Sequence, residues 1–343
     1  MEKMAETDQN FNGAQYFEGV EKLLEIWFTR TDGKTKTCDL RSIPRNKWES
    51  LLQIVHCEVI SFSSNEQVDA YVLSESSMFV SKDRFILKTC GTTTPLECVE
   101  PLLKLVKLHA GFNAYEDVFY SRKNFKRPEL QKSPHRSFDQ EVDLLNSIFK
   151  DGSSYCLGDE ESECWYLYTL HPNNVPSSDL TRSDQTLEIL MSDLDPKVMS
   201  IFTKANSSSA TEATKKSGID KLIPSMRIDD FLFDPCGYSM NGINKAGHYM
   251  TIHITPEPDF SYVSFESNIP QSSYKDVISR VIETFKPGKF VVTIFANQAS
   301  PASSSAHEME KLSRFGPWMQ GDIQYCRLNN YDLSYTFYSK FPS

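Results

Sequence analysis

A chain of 343 residues with 39% hydrophobic content can bury a substantial core, and no stretch approaches the roughly 20 apolar residues that span a bilayer. A formal net charge of −10 without any Lys/Arg-rich run argues against nucleic acid as a partner and leaves cationic small molecules open. Cysteines at 38, 57, 90, 98, 156, 164, 236 and 326 form no CxxC pair and have no complementary His pair, so the spacing does not suggest a zinc site and fits free thiols in a reducing, cytoplasmic compartment.

Residues 1–14 read as a loose polar tail without the apolar run of a secretory signal. The segment EGVEKLLEIWF (18–28) has Val20, Leu23, Leu24, Trp27 and Phe28 at helical spacing, but also admits a strand with Glu21, Leu23 and Glu25 on one face. Amphipathic spacing predicts helices at 45–55, 94–111, 139–149 and 274–285, the last stopping before Lys286, Pro287 and Gly288. Runs of β-branched and aromatic residues predict strands at 71–81, 84–90, 164–170, 186–192, 249–255, 261–267, 289–296 and 334–339. Two small, polar stretches, 206–217 and 297–307, read as surface loops. There is no repeat at a fixed period. Many strands and a few amphipathic helices point to sheets with helices packed on one face.

Two runs carry candidate chemistry. In YVLSESSMFVSKDRFILKTCGTT (71–93), Ser74, Ser76 and Ser77 read by themselves as polar positions of a strand-like segment. FDPCGYSMNG (233–242) and HYMTIHITPEPDFSYVSFES (248–267) set Ser239 and His253 on either side of a hairpin loop. A Ser–His pair invites a hydrolase, but there is no GxSxG elbow and no visible third orienting group. No glycine-rich loop for a phosphate-bearing cofactor is present.

Together with YFEGVEKLLEIWF (16–28) and DQTLEILMS (184–192), these runs resemble the eukaryotic S-adenosylmethionine decarboxylase family, of the pyruvoyl-dependent, putrescine-activated type. The resemblance extends from Tyr16 to about Tyr335. It implies an α+β fold: a four-layer α/β/β/α sandwich of two large antiparallel sheets with outer helices, built from two duplicated halves, in which 18–28 is a strand. It also implies a single domain over residues 15–340, self-cleaved into a β chain of residues 1–75 and an α chain of residues 76–343.

Loss of carbon dioxide from an α-amino acid leaves a carbanion that side chains stabilise poorly, so an electron sink is required. By resemblance that sink is a pyruvoyl group made from Ser76, which holds the substrate amine as a Schiff base; neither a metal nor pyridoxal phosphate takes part. The Ser76 hydroxyl attacks the Glu75 carbonyl through an oxyoxazolidine to give an ester, and β-elimination and hydrolysis follow. Ser239 matches the residue that assists the intermediate, His253 the base that takes the Ser76 α-proton, and Cys90 the later proton donor, with Glu18 and Glu21 beside them. Phe17 and Phe233 match the rings that sandwich the adenine, Glu257 the ribose ligand, and Glu75 a further contact to the base.

The resemblance assigns a putrescine site to Glu25, Lys88, Phe119, Asp184, Thr186, Glu188, Glu266, Phe295 and Tyr331, and Leu23 fits the diamine-activated type. On a strand, Asp184, Thr186 and Glu188 share a face. The implied product is S-adenosylmethioninamine, the aminopropyl donor for spermidine and spermine. The implied assembly is a homodimer of cleaved protomers. The rival readings are a catalytically inactive regulatory paralogue, which would lack the cleavage serine or its helpers, a Ser/His or Cys/His hydrolase, and a polyamine-binding module without catalysis.

Overall fold

The computed structural model describes residues 16–170, 182–328 and 330–341; the expected 1–14 tail lies outside them. Alternating side chains build two antiparallel sheets. The first holds β1 (Lys22–Thr29), β2 (Val59–Ser64), β3 (Val68–Leu73), β4 (Ser76–Ser81), β5 (Arg84–Thr89), β6 (Ala114–Lys123), β7 (Gly152–Gly158) and β8 (Cys164–Leu170). The second holds β9 (Gln185–Ser192), β10 (Arg227–Leu232), β11 (Tyr238–Ile243), β12 (Tyr249–Thr255), β13 (Tyr262–Ser267), β14 (Lys289–Asn297), β15 (Arg314–Phe315), β16 (Trp318–Arg327) and β17 (Tyr331–Lys340).

The strand orders are β2-β3-β4-β5-β1-β6-β8-β7 and β10-β11-β12-β13-β9-β14-β17-β16-β15. Apart from the short β15, the second sheet repeats the order of the first, strand for strand. The duplication implied by the resemblance is therefore visible as topology, although the sequence has no fixed-period repeat.

Central strands are buried on both faces, and their alternation sorts the residues into layers. Leu24, Ile26, Phe85 and Leu87 face helices α1 (Arg45–Ile54), α2 (Val99–His109) and α3 (Phe138–Ile148), packing against Trp48, Leu102 and Leu145. Leu187, Ile189, Val263 and Phe265 face α4 (Pro196–Met199), α5 (Ala210–Ser217), α6 (Lys275–Phe285) and α7 (Ser305–Lys311), with Ile278, Ile282 and Met309 in the same core. Between the sheets, Trp165, Leu190 and Tyr335 make one apolar cluster, and Phe79, Ile86 and Tyr249 another. This is the four-layer α+β sandwich. No helix among the described residues is long and apolar enough to cross a membrane.

Three local expectations need correction. The run 71–81 is two strands, β3 and β4, joined through Ser74 and Glu75 with Leu73 paired to Ser76. The stretch 206–217 contains helix α5: Ser209 accepts from the Glu212 N–H, Glu212 reaches back to the Ser208 N–H, and Gly218 closes the end at φ 82°. Its capping signal outweighs its polar composition. The stretch 297–307 is likewise partly helical, because α7 starts at Ser305. Residues 18–28, ambiguous by periodicity, form β1 from Lys22 onward.

Candidate active site

The β3–β4 hairpin sets the geometry at its tip. Ser76 opens β4 at φ 143°, a conformation rare for a residue with a side chain, and so stores backbone strain. Side chains of adjacent strand residues normally point to opposite faces. Here that alternation is broken, and the hydroxyls of Ser76 and Ser77 reach one buried polar cluster. Ser76 Oγ donates to Glu21 Oε1 at 2.9 Å. The Glu75 carbonyl oxygen accepts from the Cys90 N–H at 2.8 Å and from Cys90 Sγ at 3.2 Å.

His253, on β12 of the facing sheet, completes the cluster. Its Nδ1 is 2.8 Å from Ser239 Oγ, and its Nε2 is 2.9 Å from both Ser77 Oγ and Thr251 Oγ1. Glu21 Oε1 lies 3.8 Å from the same Nε2. Burial pushes the imidazole pKa down to about 4 against the opposing pull of Glu21, so the ring is neutral at pH 7 and able to accept a proton. Burial, reinforced by Glu75 and Glu21 and opposed by Lys22, raises the Cys90 thiol well above its ordinary pKa, which keeps it protonated. Beneath it, fully buried Lys22 donates to the Gly91 carbonyl at 2.9 Å and to Gln131 Oε1 at 3.1 Å; burial lowers its pKa to about 8.

A second cluster fills the polar gap between the sheets. Lys88 Nζ is 2.6 Å from Glu266, 3.4 Å from Glu188 and 3.9 Å from Glu21. Burial works against its charge, but the three carboxylates outweigh it and hold its pKa above the ordinary lysine value. Arg84 makes a two-pronged pair with Glu25 at 2.8 and 3.0 Å, contacts Asp184 at 3.3 Å and stacks over the Trp27 ring. Tyr249 donates to Glu266, Tyr331 to Asp184, and Trp165 to Glu188. A small cavity is lined by Leu23, Glu25, Phe119, Thr186, Phe295 and Tyr331, together with the carboxylates of Asp184, Glu188 and Glu266. The five carboxylates (Glu21, Glu25, Asp184, Glu188 and Glu266) share two cations, a formal excess of three negative charges in this cluster. Burial raises the Glu188 pKa to about 7, with Lys88 opposing and Glu266 and Glu21 assisting.

Residues 14–339 match the sequence model of the family described as adenosylmethionine decarboxylase. The chain belongs to this family. It is 55% identical to an S-adenosylmethionine decarboxylase proenzyme of Drosophila melanogaster, over 96% of each chain. It is 50% identical to one of Xenopus laevis, over 96% of this chain and 97% of that one. Its fold matches the crystal structure of a Trypanosoma brucei AdoMetDC-delta26 monomer, with a TM-score of 0.60 and 26% identity over 77% of this chain and 98% of that one.

The family's expected site residues fall into three groups. Ser76, Glu75, Cys90, Glu21, His253 and Ser239 converge as described; Ser239 touches His253, while Ser76 is held by Glu21. All the residues assigned to the putrescine site except Lys88 line the inter-sheet cavity, and Lys88 pairs with two of its carboxylates.

The expected substrate residues are more dispersed. Phe17 lies against Gly91 beside the Glu75 carboxylate; a Cβ on Gly91 would come within 3.1 Å of both. Phe233 packs edge-on to Phe231 at 4.8 Å, and Glu257 neighbours Cys236. Phe17 and Phe233 make no ring contact with each other among the described residues. Glu18 spends its carboxylate on Tyr16 and on the N–H groups of Val20 and Lys126. It therefore shapes the start of β1, and its carbonyl holds the Gly91 N–H.

Sequence reasoning missed Ser77, Lys22 and Arg84. A serine after the cleavage serine and two cations inside strands carry no distinguishing pattern of their own. Among the described residues, no His, Cys, Asp and Glu side chains are grouped as a metal site.

Proposed function

We propose that this chain is a proenzyme that cuts itself between Glu75 and Ser76 and, once mature, decarboxylates S-adenosylmethionine. The observation that carries this reading is the strained Ser76, with its hydroxyl on a carboxylate and the preceding carbonyl on the Cys90 N–H.

Glu21 is placed to take the Ser76 hydroxyl proton as Oγ attacks the Glu75 carbonyl carbon. The Cys90 N–H is a ready donor for the oxyanion that forms on the Glu75 oxygen. Release of the φ strain favours the ester. Neutral His253, oriented through Nδ1 by Ser239, then takes the Ser76 α-proton, and Ser77 and Thr251 hold its Nε2 in place. The cluster fits a chain-derived pyruvoyl group because the Ser76 hydroxyl already lies on Glu21, the Glu75 carbonyl on the Cys90 N–H, and His253 on the neighbouring Ser77.

Such a group supplies the electron sink for loss of carbon dioxide. The Cys90 thiol, kept protonated, returns a proton to the product. Phe17 and Phe233 present aromatic faces for adenine and the adjacent sulfonium, and Glu257 an acceptor for ribose hydroxyls.

Putrescine, a dication, would offset part of the charge deficit between the sheets, with Phe119, Phe295 and Tyr331 offering ring faces to its ammonium groups. Its influence passes through Glu188 and Glu266 to Lys88, then Glu21, then Ser76. The mature form is read as a cytoplasmic homodimer of cleaved protomers. The inactive-paralogue reading finds no support, since the serine and its helpers Cys90, Ser239 and His253 are all present. Incubation of the purified protein with carboxyl-labelled substrate tests the reading: release of labelled carbon dioxide by the cleaved form supports it, and none from fully cleaved protein overturns it.

A further inference from the structure

The cleavage reaction leaves a second product that stays with the protein. In the proposed elimination the Ser76 α-proton goes to His253, the Cβ–Oγ bond breaks, and Oγ departs with the Glu75 acyl group. Glu75 thus ends as an α-carboxylate, one of whose oxygens was the Ser76 hydroxyl oxygen. Water then displaces ammonia from the other fragment, and no outside oxidant or reductant is needed.

The other carboxylate oxygen is the one that accepts both the Cys90 N–H at 2.8 Å and the Cys90 thiol at 3.2 Å. A neutral carbonyl facing this thiol therefore becomes an anion. We propose that the α-carboxylate left on Glu75 by self-cleavage remains on the Cys90 N–H and thiol, so that maturation further strengthens that thiol's hold on its proton. This inference rests on the self-cleavage reading above.

The groups facing the thiol are few. The Glu75 side-chain carboxylate is 4.0 Å from Cys90 Sγ. Glu21 and Cys57 also oppose ionisation, and Lys22 favours it. Tyr262 lies close enough to couple electrostatically. Before cleavage, Lys22 couples to the Cys90 thiol and to the Glu75 side-chain carboxyl. Afterwards its charge is shared with a new anion that lies directly against the sulfur. A like charge at hydrogen-bond distance disfavours the thiolate. The carboxylate also accepts from the S–H, which stabilises the protonated form. Glu75 thus becomes a positioning residue through its backbone, independently of its side chain.

The test compares the pH dependence of Cys90 alkylation by iodoacetamide in cleaved and uncleaved protein, read by peptide mass spectrometry. A wild-type preparation caught during maturation supplies both forms, which electrophoresis separates after labelling. The folded Ser76→Ala chain gives a second uncleaved sample. The midpoint is expected about one pH unit higher in the cleaved form, a tenfold smaller thiolate fraction at a given pH below both midpoints. The same difference is expected in Glu75→Gln, which alters only the side chain. Coincident midpoints, or a lower one after cleavage, would overturn the inference while leaving cleavage intact. If no band is ever cut at Glu75–Ser76, the maturation reading fails instead.

Discussion

Ser76 and Glu21 meet at 2.9 Å, hydroxyl to carboxylate, across β5, which lies between β4 and β1 in the first sheet, with both side chains almost fully buried. The second Glu21 oxygen has no hydrogen-bond partner and lies 3.9 Å from Lys88 Nζ. One carboxylate thus joins the cleavage serine to the buried charge cluster.

Glu21→Gln keeps the shape and hydrogen bonding but removes the base. Self-cleavage is expected to slow by about 10²–10⁴-fold, the usual contribution of a positioned general base. A time course of freshly synthesised precursor on a denaturing gel measures it. Cleavage at the wild-type rate would remove Glu21 from the reaction.

The burial of His253 fixes a pH response. Its folded pKa is about 4, below the ordinary 6.5, so the ring remains an unprotonated base down to mildly acidic pH. The elimination step should be level from pH 8 to about 5, fall to half near 4, and decline further as the proton occupies the base. Precursor from cell-free synthesis, diluted into buffers and followed by mass, gives the profile. A midpoint near 6.5 would mean that the ring is solvated.

Lys88 is the cation shared by Glu21, Glu188 and Glu266. Lys88→Met leaves these carboxylates facing one another in a buried layer. Breaking a buried pair from one side costs about 3–5 kcal/mol. Chemical denaturation of the variant should show a loss of that order, and saturating putrescine should recover part of it. A change below about 1 kcal/mol would show that the cluster is already neutralised by protons.

Asp184 accepts from Tyr331 at the outer end of the inter-sheet cavity and pairs with Arg84. Asp184→Val is expected to weaken putrescine binding by at least about tenfold, or about 1.4 kcal/mol, and to reduce diamine stimulation more than basal activity. Calorimetric titration of wild type and variant measures the first effect. Unchanged binding and stimulation would place the diamine elsewhere.

Much of this was legible in the chain before its fold. The helices at 45–55, 139–149 and 274–285 follow from amphipathic spacing, and most long strands from their β-branched and aromatic runs. β1 was not legible from periodicity. Both of its faces are buried, and the polar residues on its inner side, Glu21 just before it and Glu25 within it, mimic the wet side of a helix. The same effect concealed Ser77 and Arg84 in the polar middle layer and Lys22 on the helix-facing side: buried polar groups read like a solvated edge. The break at Ser74–Glu75 was hidden because neither residue is a strong turn former. The topological repeat was hidden because it preserves strand order without preserving sequence.

Intact-mass analysis of the purified protein under denaturing conditions tests the central claim most directly. It should resolve residues 1–75 ending in a free carboxylate and residues 76–343 lighter by one ammonia than a serine-started chain. The Ser76→Ala protein should remain one polypeptide without decarboxylase activity. A wild-type protein that remains a single uncut chain with an ordinary serine at position 76, yet still releases carbon dioxide from S-adenosylmethionine, would contradict the account.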